Sequence, residues 1–167
     1  DPSDLQVLGS KFCQNSTHVI ALGGQGLIGG GGIVEDGTAT IANNVFFENW
    51  TSTKGGALVL DGQAIVEVSN NHFVGNISTD MAGAIFLGDV TANIFNDLFL
   101  DNSSPNSPVL LDDQGQATPN FNLWWLNTVG DANVATGANS LFTDPLLVNY
   151  VPGDCAAGNM LPTPYSP

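Results

Sequence analysis

Apolar and polar residues alternate in short segments along most of the chain, and glycine, asparagine or aspartate separates one segment from the next. In one stretch the alternating segments are 57–60, 64–68 and 73–74. Alternation of this kind, bounded by turn residues, is typical of β-strands and not of helices. The pattern therefore predicts three short strands joined by tight turns in this stretch.

The same stretch recurs along the chain, as three sequence elements show together. The tetrapeptide Phe-x-x-Asn begins at Phe12, Phe46, Phe73 and Phe99. A pair Asn-Asn or Asn-Asp precedes the last three of these phenylalanines, and a Gly-Gly or Ala-Gly pair lies upstream of each asparagine pair. A shared period of about 26 residues predicts a solenoid whose successive coils pair in parallel. A two-sheet sandwich uses similar strands, but it does not require such a period.

Stacked coils place equivalent residues directly above one another. We expect one interior ladder of Ile41, Val68 and Ile94. We expect a second, aromatic ladder, in which a tryptophan 26 residues after the last phenylalanine takes the final place. Its members are Phe46, Phe73, Phe99 and Trp125.

Two kinds of corner are predicted to join the strands. At the first, side-chain amides stack and satisfy backbone groups that turn inward. The residues assigned to this turn are Asn43, Asn70, Asn96 and Asn122. At the second, Gly56 and Gly83 suit a corner where a side chain clashes or where φ is positive.

The predicted fold is therefore all-β, a β-solenoid of about five coils with about 26 residues and three short strands in each. Residues 1–148 are assigned to the solenoid. The long interval between Phe12 and Phe46 indicates an insertion, placed at about 18–32 where glycine is abundant. Residues 149–167, which are rich in proline, are assigned to a C-terminal cap or tail.

The paired Gly-Gly-Ala-(Ile/Leu) and Phe-x-x-Asn elements resemble the repeat of the chlamydial polymorphic outer-membrane proteins and related right-handed parallel β-helix surface proteins. The resemblance covers roughly residues 12–127. It implies a right-handed parallel β-helix located extracellularly or at a cell surface, with an adhesive role.

The charge balance excludes two classes of partner. The chain has sixteen acidic residues, two lysines and no arginine, for a net charge of −14. Nucleic-acid binding needs a basic face that neutralises phosphates. An acidic chain is likewise repelled by anionic membranes, and no apolar stretch is long enough to insert into a bilayer.

The residues do not require catalysis, and we predict no catalytic group and no obligatory cofactor. A lyase of this fold needs a basic residue near the sugar, for which Lys11 and Lys54 are the only choices. Asp36, Asp61 and Asp89 recur at near-coil spacing beside glycines. Aspartate commonly initiates such turns. The alternative is an exposed carboxylate row that binds Ca²⁺.

All four asparagines of the Phe-x-x-Asn elements are followed at the second position by Ser or Thr. They are Asn15, Asn49, Asn76 and Asn102. Each is thus an acceptor sequence for N-glycosylation. Two interpretations stay open: the amides stack inward as part of the repeat, or they face water and carry glycans along one edge.

Cys13 and Cys155 are the only cysteines, near the two ends of the predicted solenoid. A disulfide needs Cα atoms within about 7 Å. An intramolecular bridge therefore requires the C-terminal segment to run back along the coils. The alternatives are free thiols, or a bridge between molecules stacked end to end.

The leading functional hypothesis is a non-enzymatic extracellular structural or adhesive module. It is part of a cell-surface protein or of a filament that assembles head to tail, because a solenoid end exposes unpaired strands. The expected partners are further coils of a longer chain, a second copy, or surface glycans. The alternative is a polysaccharide-binding or polysaccharide-cleaving β-helix, for which Trp50, Trp124 and Tyr150 are the aromatic candidates.

Overall fold

The computed structural model describes residues 4–17, 30, 32–35, 37–114 and 116–146. These residues form β-strands and turns and contain no helix. The strands are β1 Asp4–Leu8, β2 Lys11–Cys13, β3 Ser16–Thr17, β4 Gly32–Glu35, β5 Thr38–Ala42, β6 Val45–Phe47, β7 Trp50–Thr51, β8 Leu58–Asp61, β9 Ile65–Ser69, β10 His72–Val74, β11 Ile77–Ser78, β12 Ile85–Leu87, β13 Thr91–Phe95, β14 Leu98–Leu100, β15 Leu110–Asp112, β16 Ala117–Asn120 and β17 Leu123–Trp125.

The strands form four sheets in which every pairing is parallel. Sheet A contains β1, β5, β9, β13 and β16, and sheet B contains β2, β6, β10, β14 and β17. Sheet C contains β3, β7 and β11, and sheet D contains β4, β8, β12 and β15. The chain visits the sheets in the same order in each turn. The predicted β-solenoid is confirmed.

The number of strands in a turn differs from the prediction. Complete turns contain four strands, not three, because the two-residue strands of sheet C are too short to show alternation. The described residues form three complete turns, a fourth with three strands and a fifth with two. The predicted number of about five coils is therefore reached only when the two incomplete turns are included.

One continuous apolar core fills the interior of the solenoid. Ile41 pairs in register with Val68, and Val68 pairs with Ile94, so the predicted aliphatic ladder is confirmed. All three are almost fully buried. Burial of an aliphatic side chain contributes about 1.5–3 kcal/mol, so this column is a main source of stability.

The aromatic ladder is confirmed in sheet B, except at its last member. The rings of Phe12, Phe46, Phe73 and Phe99 stack at centroid distances of 4.8, 4.9 and 4.9 Å, close to the spacing between turns. The next ring is Trp124, whose centroid lies 4.2 Å from that of Phe99. The prediction of Trp125 is wrong, because Trp125 pairs with Leu100 and so lies on the opposite face of the sheet.

The error arose from the length of the last turn, which is one residue shorter than the turn before it. Phe46, Phe73 and Phe99 each lie two residues after a buried Asn or Asp. Asn122 is also buried, and Trp124 lies two residues after it. The spacing inside the corner is thus conserved along the repeat, whereas the length of the whole turn is not.

The corners on both sides of sheet B have the same construction. From the second turn onwards, a residue in the left-handed region is followed by an asparagine or aspartate that points inward. Between sheets A and B, Asn43, Asn70 and Asn96 have φ values of 59°, 56° and 57°. The prediction is correct for Asn122 and wrong for Asn43, Asn70 and Asn96. In each of those three pairs the next residue forms the ladder instead, namely Asn44, Asn71 and Asp97.

The predicted glycine corner is confirmed as a place of close backbone approach. A Cβ atom on Gly56 would lie 2.0 Å from the carbonyl oxygen of Gly83, and one on Gly30 would lie 2.1 Å from that of Gly56. A side chain is excluded at these positions because the neighbouring turn occupies the space.

Candidate functional site at the ends of the solenoid

Three of the four sequon asparagines are buried in a second amide ladder. Asn49, Asn76 and Asn102 have no exposed surface. The Nδ2 group of Asn76 donates to the carbonyl oxygen of Phe46 and to Oδ1 of Asn102, both at 2.9 Å. Both hydrogens that glycosylation requires to be accessible are therefore engaged inside the fold.

Asn15 differs from the other three because it belongs to the first turn and is exposed. Its Nδ2 group donates to Oδ1 of Asn49 at 2.9 Å. If the chain passes through a glycosylating secretory pathway, we expect glycan at Asn15 and unmodified peptides at the other three sites. Mass spectrometry of tryptic and chymotryptic peptides tests this, and glycan on Asn76 in folded protein would contradict the inward orientation.

The first amide ladder contains one ionisable residue, Asp97, which is buried. Its Oδ1 atom accepts hydrogen bonds from the backbone N–H of Asn71 at 2.6 Å and from Nδ2 of Asn71 at 2.9 Å. Its Oδ2 atom is buried without a hydrogen-bond partner. Desolvation raises the pKa of Asp97 to about 8, although the two hydrogen bonds from Asn71 oppose this shift.

The predicted carboxylate row is not in register. Asp36 lies outside the described residues. The register of β8 and β12 places Asp61, the last residue of β8, opposite Gly88. Asp89 therefore lies one position beyond the residue opposite Asp61. The Oδ1 atom of Asp61 accepts hydrogen bonds from the backbone N–H groups of Gly62 and Asp89, at 2.9 and 3.1 Å. This carboxylate therefore closes a turn, as aspartate commonly does.

The part of the chain that the structure describes contains no group of three or more His, Cys, Asp or Glu side chains that could hold a metal ion. The described residues likewise include no helix long and apolar enough to cross a membrane.

The candidate groups of a carbohydrate-active protein are dispersed. The Nζ atom of Lys54 lies 4.3 Å from the centroid of the Phe86 ring, outside the core. Trp124 is buried in the aromatic ladder and does not face solvent, and Trp50 is half-buried in sheet C. Tyr150 lies outside the described residues. No exposed row of aromatic rings runs along the described surface.

Cys13, the last residue of β2, is disulfide-bonded. No cysteine among the described residues is free. Cys155 lies outside them. A disulfide is typical of a protein that folds in an oxidising compartment.

The N-terminal end of the solenoid is open within the described residues, because none of their strands pairs with the outer edge of the first turn. β1, β2, β3 and β4 are each the terminal strand of their sheets within the described residues. Leu5, an interior side chain of this turn, is 41% exposed, whereas Ala39, its partner in the next turn, is 4% exposed. Strand edges and an exposed apolar side chain of this kind are a template for another chain segment.

The C-terminal end is covered by an irregular segment, residues 128–146, which we call the end cap. The cap is bridged to the last turns at Leu110–Ala132 and Leu123–Leu141. The backbone N–H of Trp124 donates to the carbonyl oxygen of Leu141 at 2.9 Å. Trp124 is 1% exposed as a result, so this end of the aromatic ladder is closed.

The exposed large apolar side chains are concentrated at the two ends. Among the described residues, three lie elsewhere, namely Ile65, Ile77 and Met81. Those of the first turn, the last turn and the end cap are Leu5, Leu8, Phe121, Leu126, Val129, Leu141, Phe142 and Leu146. The ends are therefore the surfaces best suited to contact another apolar surface.

The chain matches no protein-family model, no curated protein sequence and no solved structure. The parallel β-solenoid implied by the resemblance to the chlamydial repeat is present, but no family relationship accompanies it.

Proposed function

We propose that this chain is a non-enzymatic extracellular structural or adhesive module that acts through its ends, within a cell-surface protein or a head-to-tail filament. The observation that carries the proposal is the contrast between the two ends of the core. Leu5 is exposed at the open first turn, whereas Trp124 is covered by the end cap.

An open first turn is completed by strands that pair with β1–β4, and these strands come from further coils of a longer chain or from the end of a second copy. The end cap of another copy presents Leu141 and Phe142, both exposed. Such a contact joins two different surfaces, and contacts of this type form open filaments when the rotation does not close. The disulfide at Cys13 supports an extracellular location.

Charge opposes association between copies, since each chain has a net charge of −14. At 0.1 M ionic strength, salt largely screens the repulsion between charges that are more than about 10 Å apart. Association through apolar ends is therefore expected to strengthen as ionic strength increases, whereas association through ion pairs weakens.

We expect Leu5→Lys and Phe142→Lys each to reduce end-to-end association by at least about tenfold, because each places a charge in an apolar contact. Ile65→Lys is the matched control, since Ile65 is 61% exposed on the side of the solenoid and the change in charge is the same. Sedimentation velocity across a concentration series measures the association, and circular dichroism verifies that each variant is folded.

Two results would overturn the proposal of self-association. One is a wild-type chain that stays monomeric at high concentration and high salt, with only discrete particles in electron micrographs. The other is an equal loss of association in all three lysine variants. After the first result, the proposed partner of the first turn would be further coils of a longer parent chain instead of a second copy.

A further inference from the structure

The two ends of sheet A differ in the backbone groups that they leave available. In a parallel sheet, the N–H and C=O groups of one residue point to one neighbouring strand, and those of the next residue point to the other. The N–H groups of Ile65 and Thr91 both donate to the preceding turn. Asp4 occupies the same position of the repeat in β1. The N–H of Asp4 therefore points away from the rest of the sheet.

The edge of β1 combines backbone donors with apolar side chains. By the same alternation, the N–H groups of Asp4, Gln6 and Leu8 all point away from β5, and no strand of the described residues lies on that side. Between them, Leu5 is 41% exposed and Val7 packs against the core only in part. This edge is therefore suited to one further strand.

The opposite end of the solenoid is protected from such pairing. Pro119 of β16 lies where an N–H would point to a following strand, and proline has none. The N–H of Ala117 points the same way and donates to Oδ2 of Asp112. In sheets D and B, the N–H groups of Leu110 and Trp124 donate to carbonyl oxygens of the end cap, both at 2.9 Å. Natural proteins blunt their strand edges in this way, but the edge of β1 has no such protection among the described residues.

We propose that the edge of β1 binds an extended segment of a separate polypeptide, which pairs with it in parallel and adds one strand to sheet A. A second copy is the less suitable occupant, because the N–H groups at its capped end are already engaged and its charge of −14 opposes association. The inference rests on the part of the proposed function that assigns binding to the open first turn.

The residues of β1 define the side chains of this segment. Side chains opposite Leu5 and Val7 enter the interior and must be apolar. Ala39 and Ile41, their partners in the next turn, are apolar and buried. The intervening side chains lie on the outer face, where exposed Asp4 favours a lysine or arginine opposite it. In this mode of recognition, backbone hydrogen bonds supply affinity and the alternate side chains supply specificity.

Amide hydrogen exchange, measured by NMR on the full-length chain with and without a probe peptide, tests the pairing. The probe is residues 90–96 of this chain with Thr91→Lys, acetylated and amidated, so that it reproduces a strand of sheet A and places lysine opposite Asp4. Without the peptide, we expect fast exchange of the Gln6 and Leu8 amides. At saturating peptide, we expect both amides to exchange at least about tenfold more slowly. A peptide of the same composition in scrambled order is expected to give no protection.

A proline variant tests whether the backbone donor is the binding group. Gln6→Pro removes one N–H from the free edge and no bond to β5, and proline is compatible with an edge strand. We expect this variant to bind the probe at least about tenfold more weakly than Gln6→Ala, which retains the N–H. Slow exchange of the Val7 amide, which points towards β5, verifies in both variants that β1 remains paired.

Equal binding by the two variants would overturn the inference, as would slow exchange of the Gln6 and Leu8 amides in the free monomer. Protection that increases with protein concentration in the absence of peptide would identify a second copy as the occupant and contradict the separate partner. Failure of the probe to protect these amides would reject the strand pairing alone, because the sedimentation experiment tests the proposed self-association independently.

Discussion

Replacement of Asp97 by asparagine is expected to stabilise the protein at neutral and alkaline pH and to remove a pH dependence that the wild-type chain shows. The other positions of this ladder contain asparagine, and their Nδ2 groups donate to backbone carbonyl oxygens. Asn71 donates to Ile41 and Asn122 to Ile94, both at 2.9 Å. At Asp97 the corresponding atom is Oδ2, which has no partner. An ionised carboxylate supplies no donor at this position, whereas an amide supplies two.

The sign of the effect follows from the pKa of Asp97, which burial raises from 3.8 to about 8. Between these values the folded chain holds a proton that the unfolded chain has released. The contribution of Asp97 to stability is therefore complete below the unfolded pKa and declines as pH rises towards 8. The decline is about 1.4 kcal/mol per pH unit.

Urea unfolding of the wild-type and Asp97→Asn chains at pH 5, 7 and 9 measures this difference. We expect the advantage of the variant to grow by about 2–3 kcal/mol between pH 5 and pH 7. Asp89→Asn removes the same charge from an exposed position and is the control. Equal pH profiles for the Asp97 and Asp89 variants would show that Asp97 is ionised in the folded chain.

The period of the sequence predicted the solenoid and its interior, because residues that repeat in register must stack in register. This holds for Ile41, Val68 and Ile94. The period did not predict the last ring. Turn length decreases along the chain, and Trp125 was chosen by counting residues from Phe99. The local motif of a buried Asn followed two residues later by a ring identifies Trp124, which shows that corner geometry is conserved more strictly than turn length.

The prediction chose the wrong member of three asparagine pairs, because each pair contains one residue that points inward and one that does not. Asn43 adopts a positive φ, which asparagine tolerates better than most residues, and so faces solvent. Asn44 follows it and points inward. Sequence spacing alone does not distinguish the two members of the pair, because their order depends on the backbone conformation of the corner.

The burial of Phe47 and Val74 on the outer face of sheet B is a feature of tertiary structure. Phe47 and Val74 read as ordinary alternating strand residues, and nothing in their spacing indicates that they are buried. The concentration of apolar residues at the ends was likewise not predicted, because it depends on where the stacking of turns stops.

Replacement of Asn76 by alanine is expected to destabilise the chain by about 4 kcal/mol, whereas Asn15→Ala is expected to cost about 1 kcal/mol or less. The two residues occupy the same position of the repeat in different turns. The side chain of Asn76 takes part in four hydrogen bonds: it accepts from the N–H and Nδ2 of Asn49, and it donates to Phe46 and Asn102. Alanine removes all four and leaves the buried N–H of Asn49 without an acceptor.

Asn15 is the matched control because its side chain is exposed and, within the described part of the chain, its Nδ2 group donates to Asn49. Both substitutions also remove a sequon, so the comparison separates the two interpretations of the repeated asparagine. Free energies of unfolding are measured for unglycosylated chains made in a bacterial host. A loss of about 4 kcal/mol is a large fraction of the total stability of a typical domain. Equal, small losses at both positions would mean that the Asn76 amide faces water, and the repeated asparagine would then be a glycan acceptor and not an interior support.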